Sequence, residues 1–141
     1  MIEKFGPETA LLLIDVQKGV HDFAHWGGPT GRMNNPECHA KLSSLLNAFR
    51  AAGRQIAFTQ HDSIEPDSPL KLALPTGAQL EGLNIAPHDI AVQKSVNSAF
   101  IGTPMELHLR RAGITRLVVA GYFTNFCVET SVRMAGNMGF D

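Results

Sequence analysis

Cys127 is the residue of this chain that is best placed for nucleophilic chemistry. It follows a short apolar run at 117–120, predicted to be a buried strand that Gly121 ends, and it precedes a predicted helix capped by Thr124 or Asn125. A thiol near a helix N-terminus meets unpaired N–H groups and the positive end of the helix dipole. The sequence therefore predicts a lowered pKa and a usable thiolate for Cys127. The alternative is that Cys127 is a small buried hydrophobe.

Two charged residues end other predicted strands. Asp15 closes a continuous apolar run at 9–14, which is typical of a central parallel strand buried on both faces, and Lys94 closes the run at 90–94. Open α/β sheets place their ligands at the carboxyl ends of the strands. Asp15, Lys94 and Cys127 are therefore predicted to meet at one edge of the sheet. Two alternatives stay open, namely that Asp15 caps a turn and that Lys94 is solvated.

The rest of the pattern supplies helices between these strands. A helix is predicted over 35–53, with Asn35 as its N-cap and Gly53 at its end, followed by a second strand at 55–59. Thr103 and Glu106 form a capping box for another helix, which Gly113 ends. The order β-α-β-loop-β-α-β-α predicts a Rossmann-like three-layer α/β/α fold with a mostly parallel sheet.

The amino-acid composition is typical of a globular domain and gives no indication of nucleic-acid or membrane binding. The 141 residues are 44% hydrophobic and 18% charged with a net charge of −1, which predicts a single domain over 1–141 and gives no basic footprint for nucleic acid or an anionic membrane. No apolar run is long enough to span a membrane, and the first residues lack a signal-peptide core. With only two cysteines, Cys38 and Cys127, and no export signal, no disulfide framework is expected, and the protein is expected to be cytoplasmic. Cys38 is interpreted as a packing residue.

Several side chains near the strand ends are candidates for contacting a substrate. The loop at 19–35 is rich in glycine and aromatic residues, as pocket walls and lids often are, although plain surface packing would use the same residues. The candidate substrate-binding residues are Gln17, Phe23, Trp26, Phe100 and Phe126. The four aromatic side chains would suit a small flat or cyclic amide, or they would serve a core equally well.

Three motifs together resemble the isochorismatase-like cysteine hydrolases, the superfamily that includes nicotinamidases and N-carbamoylsarcosine amidohydrolase. They are Leu-Leu-Leu-Ile-Asp-Val-Gln at 11–17, Val-Gln-Lys-Ser-Val-Asn-Ser-Ala-Phe at 92–100, and Val-Val-Ala-Gly-Tyr-Phe-Thr-Asn-Phe-Cys-Val at 118–128. The resemblance implies a catalytic triad of Asp15, Lys94 and Cys127. It also implies a cis peptide at Tyr122–Phe123, which would let the backbone N–H groups of Phe123 and Cys127 form an oxyanion hole.

The chain departs from the family pattern in three places. Zinc-binding members carry Asp-x-His after the second strand, whereas this chain has Gln60-His61-Asp62, so no catalytic metal and no cofactor are expected. Phe126 stands where His or Tyr is frequent, which would make the pocket more apolar. Family domains also run further, so the sheet is expected to be truncated at its C-terminal edge, where a fifth strand should begin at Phe140 and Asp141.

The function expected from the residues and the resemblance is hydrolysis of an amide-type C–N bond in a small molecule through a thioester on Cys127. The family is often dimeric or tetrameric, so a homo-oligomer is also expected. One alternative is an isochorismatase-type hydrolase acting on a non-amide substrate, although such members commonly lack the cysteine. The other is an inactive fragment that serves only as a binding or scaffold protein.

Overall fold

Four parallel strands form the sheet that positions the candidate residues. The computed structural model describes residues 5–141, and its strands are β1 (Thr9–Ile14), β2 (Gln55–His61), β3 (Ile90–Lys94) and β4 (Arg116–Gly121). They are hydrogen-bonded in the order β3-β2-β1-β4. All six residues of β1 are buried, as the continuous apolar run predicted for a central strand.

Helices cover both faces of this sheet. The chain has α1 (Phe23–Trp26), α2 (Cys38–Ala51), α3 (Met105–Arg111) and α4 (Glu129–Asn137). Alternate residues of β1 point to opposite faces, so Leu11 and Leu13 pack with α2 while Leu12 and Ile14 pack with α3 and α4. The predicted three-layer α/β/α architecture with a parallel sheet is confirmed. No helix within residues 5–141 is long and apolar enough to cross a membrane.

The strand register decides which residues meet at the carboxyl edge. Ile14 pairs with Thr59 on one side and with Gly121 on the other, and His61 pairs with Lys94. Asp15 therefore emerges between the ends of β2 and β4. The second strand runs two residues further than predicted, which places His61 inside the sheet and next to Lys94.

Helix starts differ from the sequence prediction. The helix predicted from Asn35 begins at Cys38, because the Asn35 carbonyl accepts a hydrogen bond from the Cys38 N–H in a preceding turn and Asn35 provides no side-chain cap. Neither Thr124 nor Asn125 caps α4, since residues 124–128 form a π-helical turn and α4 begins at Glu129. The segment at 19–35, predicted to be a loop, contains α1 and two short 3-10 turns.

The start of α3 and the last residues of the chain agree in part with the sequence prediction. Thr103 Oγ1 accepts a hydrogen bond from the Met105 N–H at 3.3 Å, as a cap does, although Glu106 pairs with Arg110 and does not complete the box. At Asp141, the N–H donates to the Thr115 carbonyl and the carbonyl accepts from Leu117, which is the hydrogen-bond pattern of a residue pairing with β4.

Gly121 is required by the close contact between β4 and β1. Its φ is 136°, and a Cβ at this position would collide with the Ile14 carbonyl oxygen, next to Asp15. We expect Gly121→Ala to lower the free energy of unfolding by about 3 kcal/mol, measured by urea denaturation. Gly113→Ala is the control, because Gly113 also has a positive φ of 73° but faces open space. Equal losses in the two variants would show that the β1–β4 contact is not the cause.

Candidate active site

Asp15 is fixed in place by its backbone and by Thr59. It is 1% exposed and has a left-handed φ of 51°, a conformation that Asp adopts more readily than most residues. Its N–H donates to the Thr59 carbonyl at 3.2 Å and to Thr59 Oγ1 at 3.1 Å. The Thr59 hydroxyl in turn donates to Asp15 Oδ1 at 2.6 Å, which orients the carboxylate.

Lys94 uses all three of its ammonium protons inside the protein. Its side chain is fully buried, and Nζ lies 2.6 Å from Asp15 Oδ2, 3.0 Å from His61 Nδ1 and 3.1 Å from the Val96 carbonyl oxygen. The ammonium has no lone pair, so His61 Nδ1 must accept and the imidazole proton must sit on Nε2. Burial, followed by the charge of Lys94, lowers the pKa of His61, which keeps the ring neutral.

Cys127 lies in the π-helical turn, with its sulfur close to Asp15 and His61. The Cys127 Sγ, a carboxylate oxygen of Asp15 and a ring nitrogen of His61 all lie within 4.8 Å of one another. The thiol also donates to Asn97 Oδ1 at 3.7 Å. The structure therefore brings Asp15, Lys94 and Cys127 together at the carboxyl edge, while their catalytic roles stay a prediction.

The prediction of a lowered pKa for Cys127 is wrong. Burial, followed by the charge of the Asp15 carboxylate, raises the pKa of the Cys127 thiol to about 12, although Lys94 opposes both effects. A thiol at the exposed start of a helix would have a lowered pKa, but Cys127 is 7% exposed and α4 begins two residues later. The resting side chain is accordingly a neutral thiol beside a carboxylate.

This raised pKa predicts a specific labelling profile. Iodoacetamide reacts with thiolates, so the rate of Cys127 alkylation in the free protein should rise about tenfold per pH unit from pH 6 to 9, without a plateau. Peptide mass spectrometry after timed quenching would measure this rate. A plateau near neutral pH would contradict the raised pKa and restore the original prediction.

The backbone before Cys127 has the geometry that the resemblance implied. The Tyr122–Phe123 peptide is cis. The Phe123 carbonyl accepts hydrogen bonds from Phe126 and Val128, whereas the Phe123 N–H donates none within residues 5–141. Phe123 and Cys127 line the same cavity. The oxyanion hole itself stays a prediction.

A cavity of about 450 Å³ opens over Cys127, which is large enough for a small organic molecule. Trp26 and Phe126, both predicted to contact substrate, line it together with Asp15 and His61. The Trp26 indole N–H donates to the Gly19 carbonyl at 2.9 Å, and its ring packs on Phe123 at 4.8 Å between centroids. One wall is therefore a rigid aromatic surface.

Three of the predicted substrate-binding residues lie elsewhere. Gln17 is fully buried, and its amide bonds the backbone of His61 and Gly77, so it ties the chain after β1 to its neighbours. Phe100 packs against Phe140 in the core beneath α3 and α4. Phe23 lines separate surface cavities on the α1 side. Aromatic content alone could not distinguish core, surface and pocket positions.

Sequence reasoning missed two contributors to the site. Thr59, which orients Asp15, was included only as the end of a strand, although its register opposite Ile14 would have indicated the contact. The second is the segment at 63–70, which forms one side of the cavity. Its polar and proline-rich composition is typical of a surface loop and carries no pattern that indicates a pocket.

Asp15, His61 and Cys127 have the ligand types and spacing of a possible metal site. The Lys94 ammonium, however, already contacts Asp15 Oδ2 and His61 Nδ1. A divalent cation would have to displace this fixed positive charge from both ligands. The donor set therefore does not fit a resident metal while Lys94 keeps this position.

Comparison with known proteins identifies the family. An isochorismatase domain model matches residues 9–141. The chain is 36% identical to the isochorismatase family protein YrdC of Bacillus subtilis over 95% of this chain and 69% of that protein. It is 32% identical to the ureidoacrylate amidohydrolase RutB of Rhizobium rhizogenes, over 94% of this chain and 66% of that protein.

Solved structures agree with this assignment. The crystal structure of an isochorismatase-family protein from Chromobacterium violaceum superposes with a TM-score of 0.82 at 40% identity. The match covers 97% of this chain and 69% of that one. With the fold, the motif order and these relatives in agreement, the chain belongs to the isochorismatase family of hydrolases.

Proposed function

We propose that this protein is a cysteine hydrolase that cleaves an amide-type C–N bond of a small molecule through a thioester on Cys127. The observation that carries the proposal is the buried Asp15 carboxylate, held by Lys94 and Thr59 beside the Cys127 thiol at the base of the cavity. The roles assigned are Asp15 as proton carrier, Lys94 as its fixed partner, and the Phe123 and Cys127 N–H groups as oxyanion donors.

The first step is attack of sulfur on the substrate carbonyl carbon. Because the pKa of the thiol is about 12, the nucleophile forms as Asp15 accepts the thiol proton during the attack. The new C–S bond turns the carbonyl oxygen into an oxyanion, which the Phe123 and Cys127 N–H groups receive. Lys94 keeps a positive charge beside Asp15 throughout.

The second step breaks the C–N bond. Asp15 returns the proton to the leaving nitrogen, the amine departs, and the acyl group remains on Cys127 as a thioester. A water molecule then attacks the thioester and gives a proton to Asp15. The acid leaves, and the proton passes back to Cys127, so the enzyme is regenerated with all protons accounted for.

Similarity to the RutB amidohydrolases supports an amide-type substrate. Cys127 supports a covalent route over direct hydrolysis of a non-amide substrate. The second alternative, a protein that only binds, would leave the buried Asp15–Lys94 pair beside a thiol that has no role.

Hydroxylamine trapping tests the covalent route. A panel of small primary amides is screened for ammonia release, and an active substrate is then mixed with hydroxylamine, which captures a thioester as a hydroxamate. Hydroxamate is expected with the native chain and is lost with Cys127→Ala. Turnover without hydroxamate, unchanged in Cys127→Ala, would exclude the covalent route. Absence of ammonia release across the panel would count against amide hydrolysis.

A further inference from the structure

We propose that the cavity accepts uncharged or cationic amides and discriminates against substrates that carry a carboxylate. The inference rests on the proposed function in one respect, namely that the molecules bound are amide substrates. The electrostatic preference of the cavity can be measured without turnover. It follows from the charges that line the cavity and from what each of them is bonded to.

The entrance of the cavity carries acidic side chains. Glu65 and Asp67 lie in the segment after β2, are exposed to solvent and line the cavity that contains Cys127. Within residues 5–141, neither carboxylate forms a salt bridge that would neutralise it. Acidic side chains at a cleft mouth create a negative potential that attracts cations and repels anions.

The cations that could offset this potential are absent or occupied. Among the lining residues of the described chain, none is Arg or Lys, the usual partners of a substrate carboxylate. Lys94 lies beneath Asp15, is fully buried and has its three protons bonded to protein atoms, so it offers no donor to a ligand. Burial, together with the contact to Lys94, lowers the pKa of His61 and keeps its ring neutral.

The remaining walls suit a neutral or positively charged molecule. His25 packs edge-on against Trp26 at 4.4 Å between centroids, and the aromatic residues Trp26, Phe123 and Phe126 line the cavity. Aromatic side chains attract cations through their ring faces and also stack favourably with uncharged rings. His61 adds one directed donor, because its Nε2 carries the proton and makes no hydrogen bond within residues 5–141. A carbonyl oxygen or ring nitrogen on the substrate could accept this hydrogen bond from His61.

The first test measures the potential at Cys127 directly. Two methanethiosulfonate reagents of similar size, the cationic trimethylammonium-ethyl and the anionic sulfonato-ethyl forms, are reacted with the protein at pH 8 and low ionic strength. The ratio of the cationic to the anionic rate at Cys127 is divided by the same ratio for 2-mercaptoethanol. We expect a quotient of at least about five, which falls toward one in 0.5 M salt. A quotient of one or less would overturn the inference.

Variants test whether Glu65 and Asp67 cause the preference of Cys127 for the cationic reagent. Glu65→Gln and Asp67→Asn should each lower the quotient about twofold, and together about fourfold. Glu8→Gln is the control, because Glu8 precedes β1 and lies at the opposite end of the parallel strands. An equal change in Glu8→Gln would show that overall charge, and not the entrance, sets the preference.

The second test uses matched substrates. Benzamide, 3-carbamoylbenzoate and 3-(aminomethyl)benzamide share one scaffold and differ in charge, so their kcat/KM values compare charge alone. We expect kcat/KM for the anionic 3-carbamoylbenzoate to be at least about tenfold lower than that for benzamide. In Glu65→Gln/Asp67→Asn, the ratio of the anion's kcat/KM to that of benzamide should rise. An anion as good as the neutral amide would refute the preference while leaving amide hydrolysis intact. If the reagent quotient exceeds five and all three amides stay intact, the electrostatic inference stands and the proposed function fails.

Discussion

Replacing Cys127 by alanine is expected to lower kcat/KM for any amide substrate by about 10⁴-fold or more. The variant removes the atom that forms the C–S bond, and what remains is a cavity, a carboxylate and the oxyanion donors, which contribute only a fraction of the rate. The measurement is ammonia release under first-order conditions, with the native chain diluted to the same observed rate.

The control for this variant is Cys38→Ala, which alters the second cysteine. Cys38 is half-buried near the start of α2 and does not line the cavity over Cys127. We expect Cys38→Ala to keep activity within about twofold and both variants to melt within a few degrees of the native chain. Retained activity in Cys127→Ala, with the fold intact, would rule out the thioester.

The second large effect concerns the buried pair of Asp15 and Lys94. Removing one partner leaves the other charge buried without compensation, so Lys94→Met should lower the free energy of unfolding by about 3–5 kcal/mol. Asp15→Asn should also destabilise the chain, because it leaves the ammonium uncompensated. Asn is the appropriate replacement since it tolerates the left-handed φ of 51° at this position.

The double variant Asp15→Asn/Lys94→Met distinguishes a true ion pair from two independent losses. Its destabilisation should be smaller than the sum of the single losses by at least about 2 kcal/mol, because neither buried charge remains. Urea unfolding at pH 7 measures all three variants, and all three should be inactive. Strictly additive losses would mean that the pair does not interact as the 2.6 Å contact indicates.

The sequence was a good guide to the fold because burial and strand position leave a direct pattern. The apolar run before Asp15 identified the central strand, and the charged residues at the ends of β1 and β3 were brought together as expected. Parallel strands align their carboxyl ends, so residues far apart in the chain meet without any local signal linking them.

The sequence did not predict properties that depend on the three-dimensional surroundings of a side chain. The pKa of Cys127 depends on burial and on the Asp15 carboxylate, which raise it, and on Lys94, which lowers it, and residue spacing does not indicate the sum of these effects. Gln17 and Phe100 lie away from the cavity, and the sequence did not indicate this because a buried glutamine that bonds the backbone or an aromatic ring in the core has the same residue type as a substrate contact. Residues 63–70 form one side of the cavity, and only the three-dimensional structure reveals this.

The neutral, buried thiol of Cys127 also bears on oxidative damage. Peroxide attacks thiolates and converts them through sulfenic acid to irreversible sulfinic and sulfonic acids, so a cysteine that stays protonated between turnovers is protected. Enzymes that store a permanent thiolate must be rescued by reductants after exposure to hydrogen peroxide. Under the proposed mechanism, Cys127 becomes a thiolate only during the catalytic cycle, so the protein is expected to lose activity slowly when it is kept in peroxide without substrate.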